Sequence, residues 1–249
     1  CISLSSWTVN PFTSFLFMEI LFLLNKIDEC KITIFKLLYK TTRGSIVFFG
    51  QVFLFLYNDS KKLINMHTLE PHYKWRMYYI ASEDKDSPFF GRVYSEFEFS
   101  TKIYNYYIHP QWDAFGSETL YAKILYVNYN EKYTIIELIG EWNDCLYNDV
   151  MLLKQAIIDR LQEYGICKFI LIVENVLNFH ASDDCYYEEW YEDVVGEEGW
   201  ICFVGLQNHV KHEMMEYNLQ NFVNMGNDFN IIWRPHKPEI VFEMLQGRI

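Results

Sequence analysis

The chain has 249 residues, 51% of them hydrophobic and 18% aromatic, and a formal net charge of −12. That length holds one full core with room for an appended segment, and that composition excludes a disordered or low-complexity chain. The charge is uneven: residues 1–65 carry seven Lys/Arg against four Asp/Glu, a balance of +3, which leaves −15 for the remainder. Between Lys168 and Lys211 there is no Lys or Arg, while nine carboxylates accumulate. A surface of that sign repels phosphate backbones, so nucleic acid is not expected as a partner. The six cysteines form no CxxC pair and no zinc-like spacing, which points to reduced, packed thiols and a cytoplasmic protein.

Residues 1–65 contain two apolar runs, Phe12 to Leu24 and Ile46 to Tyr57. Both are shorter than the roughly 20 residues that span a bilayer, and the first contains Glu19 and lacks a basic leader region. The texture changes at Met66, which is read as the native start, with residues 1–65 an uncertain apolar extension. A membrane association is expected only if that extension is native. Residues 66–118 are crowded with aromatics and are read as a β-rich cover. Within them Ser95 to Phe99 alternates as a half-buried strand does, and Lys102 to Ile108 offers it a partner. The cluster His109-Pro110-Gln111-Trp112-Asp113 reads as a capped turn.

Residues 119–249 read as an α/β domain. Tyr121 to Tyr129 and Tyr133 to Gly140 are strand-like and joined by the polar Asn130-Glu131-Lys132, an antiparallel hairpin. A helix capped by Asn143 or Asp144 follows, with Leu146, Val150, Leu153, Ile157 and Leu161 at helical spacing and Gly165 at its end. Phe169 to Val173 is apolar on both faces, as a central parallel strand covered by helices must be. A helix from Ser182 to Asp193, a strand Trp200 to Val204, a helix His209 to Tyr217, a short strand at Phe222-Val223 and a helix Pro238 to Leu245 complete the pattern, with Pro238 suited to a first helical turn. The fold class is a mixed sheet with helices packed on it.

The densest polar chemistry is FHASDDCYYEEW, Phe179 to Trp190. His180, Asp184 and Glu188 could form an imidazole and carboxylate pocket, since Asp184 and Glu188 lie four apart on a helix. In the plainer reading Ser182 caps the helix, Asp183 and Asp184 fill the first turn where the helix dipole favours anions, and Tyr186 and Trp190 face the core. Cys185 with His180, or Ser182 with His209, pair only on paper, because no GxSxG elbow, HExxH spacing or glycine-rich phosphate loop occurs. No metal and no cofactor is expected.

The order hairpin, helix, strand, helix, strand, helix over Tyr121 to Leu245 resembles the STAS domain of anti-sigma-factor antagonists and sulfate transporters. The likeness is carried by IIELIGEWND (135–144), KFILIVENV (168–176) and GLQNHVKHEMMEYNLQNFVNM (205–225). The resemblance implies a non-enzymatic regulatory module that docks a protein partner through the turn and helix after the central strand, here Asn178, His180, Ser182, Asp183, Asp184 and Glu188. In that family a serine in this turn is phosphorylated by a partner kinase. The matching hydroxyl is Ser182, with no glycine after it and with Asp183 and Asp184 opposing an incoming phosphate. A Sec14-like lipid-binding domain has much the same order, so apolar-ligand binding stays open, as does an acid–base or metal-assisted enzyme built on His180 and its neighbouring carboxylates.

Overall fold

The computed structural model describes residues 69–104 and 106–249. The expectations for residues 1–65, including the apolar runs, the start at Met66 and the membrane alternative, lie outside them. Ahead of the main sheet come a 3₁₀ turn, Lys74–Met77, and a short hairpin of β1 (Lys102–Ile103) and β2 (Tyr106–Tyr107). The alternating stretch Ser95 to Phe99 is irregular rather than a strand. Lys102 and Ile103 pair instead with Tyr107 and Tyr106, and the outer edge of the main sheet is met by Asp113, opposite Ala122.

The main sheet has the order β3-β4-β5-β6. β3 (Leu120–Asn128) and β4 (Tyr133–Asn143) are antiparallel. Their turn is fixed locally: the Asn128 side chain accepts from the backbone N–H groups of Asn130 and Glu131 at 3.0 Å each. Lys132 then takes a left-handed φ of 58°. β5 (Lys168–His180) lies parallel to β4 on one side and, over Lys168 to Ile172 alone, to β6 (Trp200–Val204) on the other. Phe169, Leu171 and Val173 face one core with Val150, Leu153, Trp190, Val194, Val210 and Met214. Ile170 and Ile172 face another with Trp75, Trp233, Val241, Phe242 and Leu245. The central strand is thus buried on both faces, as its unbroken apolar run requires.

The helices are α1 (Asp144–Tyr147), α2 over 149–162, α3 (Cys185–Val195), α4 (Asn208–Glu216) and α5 (Pro238–Gln246). One long helix from Asn143 does not form. Asn148 takes a left-handed conformation (φ 53°) that separates α1 from α2, and Leu146 is exposed on the short first turn. Asn143 caps Leu146 as expected, at 2.9 Å, and Gly165 (φ +85°) ends the second piece, its N–H donating to the Gln162 carbonyl. Midway, α2 widens into a π-helical turn at Lys154–Ile158. Phe222 and Val223 make no strand; a single bridge joins Cys202 to Asn224. Among the described residues no helix is long and apolar enough to cross a membrane.

Gly140 shows how tightly the hairpin is closed. Its φ is +122°, and a Cβ there would sit 2.0 Å from the Thr119 carbonyl oxygen, the atom that accepts from the Glu141 N–H. At Gly165 a Cβ would meet nothing within 4 Å. Gly165→Ala is therefore expected to cost only its conformational strain, about 1–2 kcal/mol, whereas Gly140→Ala must displace backbone and is expected to cost about 3 kcal/mol or more. Urea-unfolding midpoints of the two variants check the order.

Candidate functional site

β5 outruns β6, and its exposed end is where the expected site lies. Carbonyls left without a strand partner there are taken by α4 and the residue before it. Gln207 Nε2 donates to Glu174 O and Val176 O at 3.2 Å each. His209 Nε2 lies 2.6 Å from Leu177 O, a contact that needs an N–H on that nitrogen. His209 is thereby committed to the sheet edge and not to Ser182. Side-chain caps of this kind deny the edge to another strand.

Asn178 and His180 belong to the strand itself, not to a turn, and Asn178 Nδ2 donates to Glu141 Oε1 at 3.1 Å. α3 begins at Cys185, three residues later than the expected start, with Asp184 at the cap position and its side chain making no cap bond. Ser182 lies outside the helix and is exposed. Asp183 is turned to Cys185 instead: the thiol donates to its Oδ1 at 2.7 Å. That bond raises the Cys185 thiol above its ordinary range, with a smaller contribution from burial, and so disfavours a thiolate nucleophile. His180 and Glu188 are both exposed, and no hydrogen bond or ion pair joins His180 to Asp184 or Glu188. Among the described residues no three His, Cys, Asp or Glu side chains are placed to hold a metal ion.

The faces of α3 are divided. Tyr187, Trp190 and Val194 enter the core, with Tyr186 packed only partly against it. Glu189 and Asp193 bind Lys154 Nζ at 2.9 and 2.8 Å, and Asp159 joins them at 2.9 Å. Lys154 sits in the π-helical turn with its side chain 6% exposed. Burial lowers it, but the three carboxylates outweigh burial and hold it above the usual lysine range. The remaining face, Glu188, Tyr191, Glu192 and Val195, points outward.

At the root of α1, Asp144 is buried and accepts from Trp142 Nε1 (2.9 Å), Val150 N (2.8 Å) and Tyr187 OH (2.7 Å). Burial pushes it up to about 6 against those three donors. These bonds tie β4, α2 and α3 together. The expected choice between Asn143 and Asp144 as cap is resolved by using both.

A second cluster of charge lies where the sequence drew no attention. Glu137, fully buried in β4, accepts from His72 N at 2.8 Å and Arg234 Nη2 at 3.1 Å, and Asn175 Nδ2 stands 3.4 Å away. The Arg234 guanidinium also pairs with Glu174. Burial pushes Glu137 up to about 7, opposed by the His72 N–H and Arg234. His72 packs edge-on against Trp75 and Trp233 with ring centroids 5.1 and 4.9 Å away. Burial, then Arg234 and Lys74, pull it down to about 4. The signal in the sequence was a lone Glu inside the apolar strand TIIELIG; its partners come from 65 residues before and 97 after, and no spacing rule connects them.

This pair makes stability depend on pH in two opposed ways. Between about pH 4.5 and 7 the folded chain keeps a proton on Glu137 that the unfolded chain releases, so this contribution declines as pH rises. Between about pH 4 and 6.5 the folded chain lacks the His72 proton that the unfolded chain binds, so that contribution grows with pH. Glu137→Gln is expected to leave unfolding free energy climbing more steeply with pH than wild type, by about 2–3 kcal/mol over the window. His72→Phe is expected to tilt the profile the other way. Urea unfolding from about pH 4 to 8 measures both, and parallel profiles for all three proteins would contradict the assignment.

Comparison with protein-family models finds no match, and comparison with curated proteins finds none. Among solved structures the chain is similar to a protein of Thermotoga maritima described as a proposed anti-sigma factor antagonist. The two share 14% sequence identity over 50% of this chain and 92% of that one, with a TM-score of 0.35. That is the family which the hairpin-first order of elements resembles.

Proposed function

We propose that this chain is a non-enzymatic regulatory module that docks a protein partner through the end of β5 and the outward face of α3. The observation that carries the reading is the composition of that face. Glu188, Tyr191, Glu192 and Val195 recur at helical spacing and are all exposed, with Tyr191 and Val195 36% and 46% accessible. Exposed apolar groups interleaved with carboxylates free of ion pairs suit a partner that brings basic side chains around an apolar centre. Glu189 and Asp193, held by Lys154, fix the helix against α2 and leave the outward stripe presented on a rigid element.

Asn178, His180, Ser182, Asp183 and Asp184 border the same end of the sheet and extend the surface toward β5. Ser182 is accessible there, but Asp183 and Asp184 follow it directly, so attachment of a phosphate would add to existing negative charge rather than create a new contact. Binding is expected to be governed by contact and charge alone.

Glu188→Lys combined with Glu192→Lys is expected to weaken partner capture at least roughly tenfold, with an on-rate that falls as salt is raised for the unmodified protein. Glu243→Lys, exposed on α5, is the control and should bind as wild type does. Quantitative pull-down followed by surface-immobilised binding kinetics measures this. A partner that is retained equally by wild type and the double charge reversal would sink the proposal.

A further inference from the structure

Beyond α3, a separate cavity of about 170 Å³ lies between residues 71–82 and β3, its wall including His72, Arg76, Gln111, Lys123, Ile124 and Leu125. No carboxylate lines it, in a protein whose net charge is −12. Its cations are only partly spent. Arg76 donates from Nη2 to Gln111 Oε1 at 2.8 Å, which leaves the other guanidinium N–H groups and the Gln111 amide NH₂ available. Lys123 Nζ bonds Asp113 Oδ2 at 2.9 Å and lies 3.6 Å from the Tyr94 ring centroid. Asp113 accepts also from Arg92 Nη1 at 3.1 Å and Tyr94 OH at 2.7 Å, so one carboxylate faces two cations. His72 is 8% exposed, and its Nε2 is buried without a hydrogen-bond partner.

This excess of cations over carboxylates is unfavourable on its own. Burial, with Arg76 and Arg92 as like-charged neighbours, holds Lys123 below the ordinary lysine range despite Asp113. A bound anion relieves that repulsion. Ile80, Ala81, Ile124 and Leu125 supply an apolar part of the wall, and cavities of about 150 Å³ accept a molecule the size of benzene.

We propose that this cavity binds a small organic carboxylate, with the carboxylate held by Arg76 and Lys123 and a short apolar body against Ile124 and Leu125. The site is independent of the α3 face, and neither stands or falls with the other.

The test is isothermal titration of the full chain with benzoate, with benzamide as its neutral counterpart and inorganic phosphate as an anion without an apolar body. Benzoate is expected to bind saturably with a dissociation constant at or below about 1 mM. Benzamide and phosphate should bind at least roughly tenfold more weakly. Arg76 is exposed on the 3₁₀ turn, so Arg76→Gln should leave the fold intact and weaken benzoate roughly tenfold. Failure of benzoate to bind, equal binding of benzamide, tighter binding of phosphate, or full binding by folded Arg76→Gln would each overturn the proposal.

Discussion

A parallel strand with no polar face must be covered on both sides, and β5 imposes that requirement on everything around it. Phe169 to Val173 present apolar side chains alternately to two cores, so neither layer of cover can be lost without exposing one of them. On one side the cover is regular: α2, α3 and α4, linked through short connections. On the other, α5 supplies Val241, Phe242 and Leu245, and the remainder is closed by Trp75 and Trp233 from irregular segments. Burying surface of this extent provides the main stabilising term, and it is what makes the polar exceptions informative.

One of these exceptions lies where regular cover gives out. Glu137 falls on the irregularly covered side, and the same segments that bring Trp75 and Trp233 bring His72 and Arg234 to it. A carboxylate at that position cannot reach water, so it must be met by donors or remain protonated. The sheet itself makes room: the β4–β5 register shifts between Glu137 and Ile139, and Asn175 stands opposite Ile139. Bulges next to such groups re-aim side chains that an ideal ladder would bury blindly. On the neighbouring strand, Lys123 is cross-strand from Glu137 but turns to Asp113 and lines the cationic cavity. One face of the sheet therefore holds separated opposite charges, each buried with its own partners.

The acidic α3 is governed by different physics. Its inner carboxylates are organised by one lysine, Lys154, placed in a widened helical turn. Its outer carboxylates are unopposed. Local structure thus sorts one run of like charges into a structural set and a presented set, a distinction that no count of acidic residues contains.

Sequence alone determined the elements whose cause is local. The hairpin turn at Asn128 to Lys132, the Trp200–Val204 strand, Pro238 at a helix start and the both-face burial of β5 all follow from side-chain period, turn chemistry and proline geometry within a few residues. The resemblance to STAS domains rested on the same local order. Tertiary structure alone decided what depends on distant partners. The start of α3 moved to Cys185 because β5 continues to His180 through its pairing with β4, and the left-handed Asn148 broke the expected long helix. His180, Asp184 and Glu188 share a stretch of sequence but no contact, whereas Glu137, His72 and Arg234 share a contact but no stretch. Charge can be placed near charge by chain proximity or by packing, and only the second removes the water that gives a charge its chemistry.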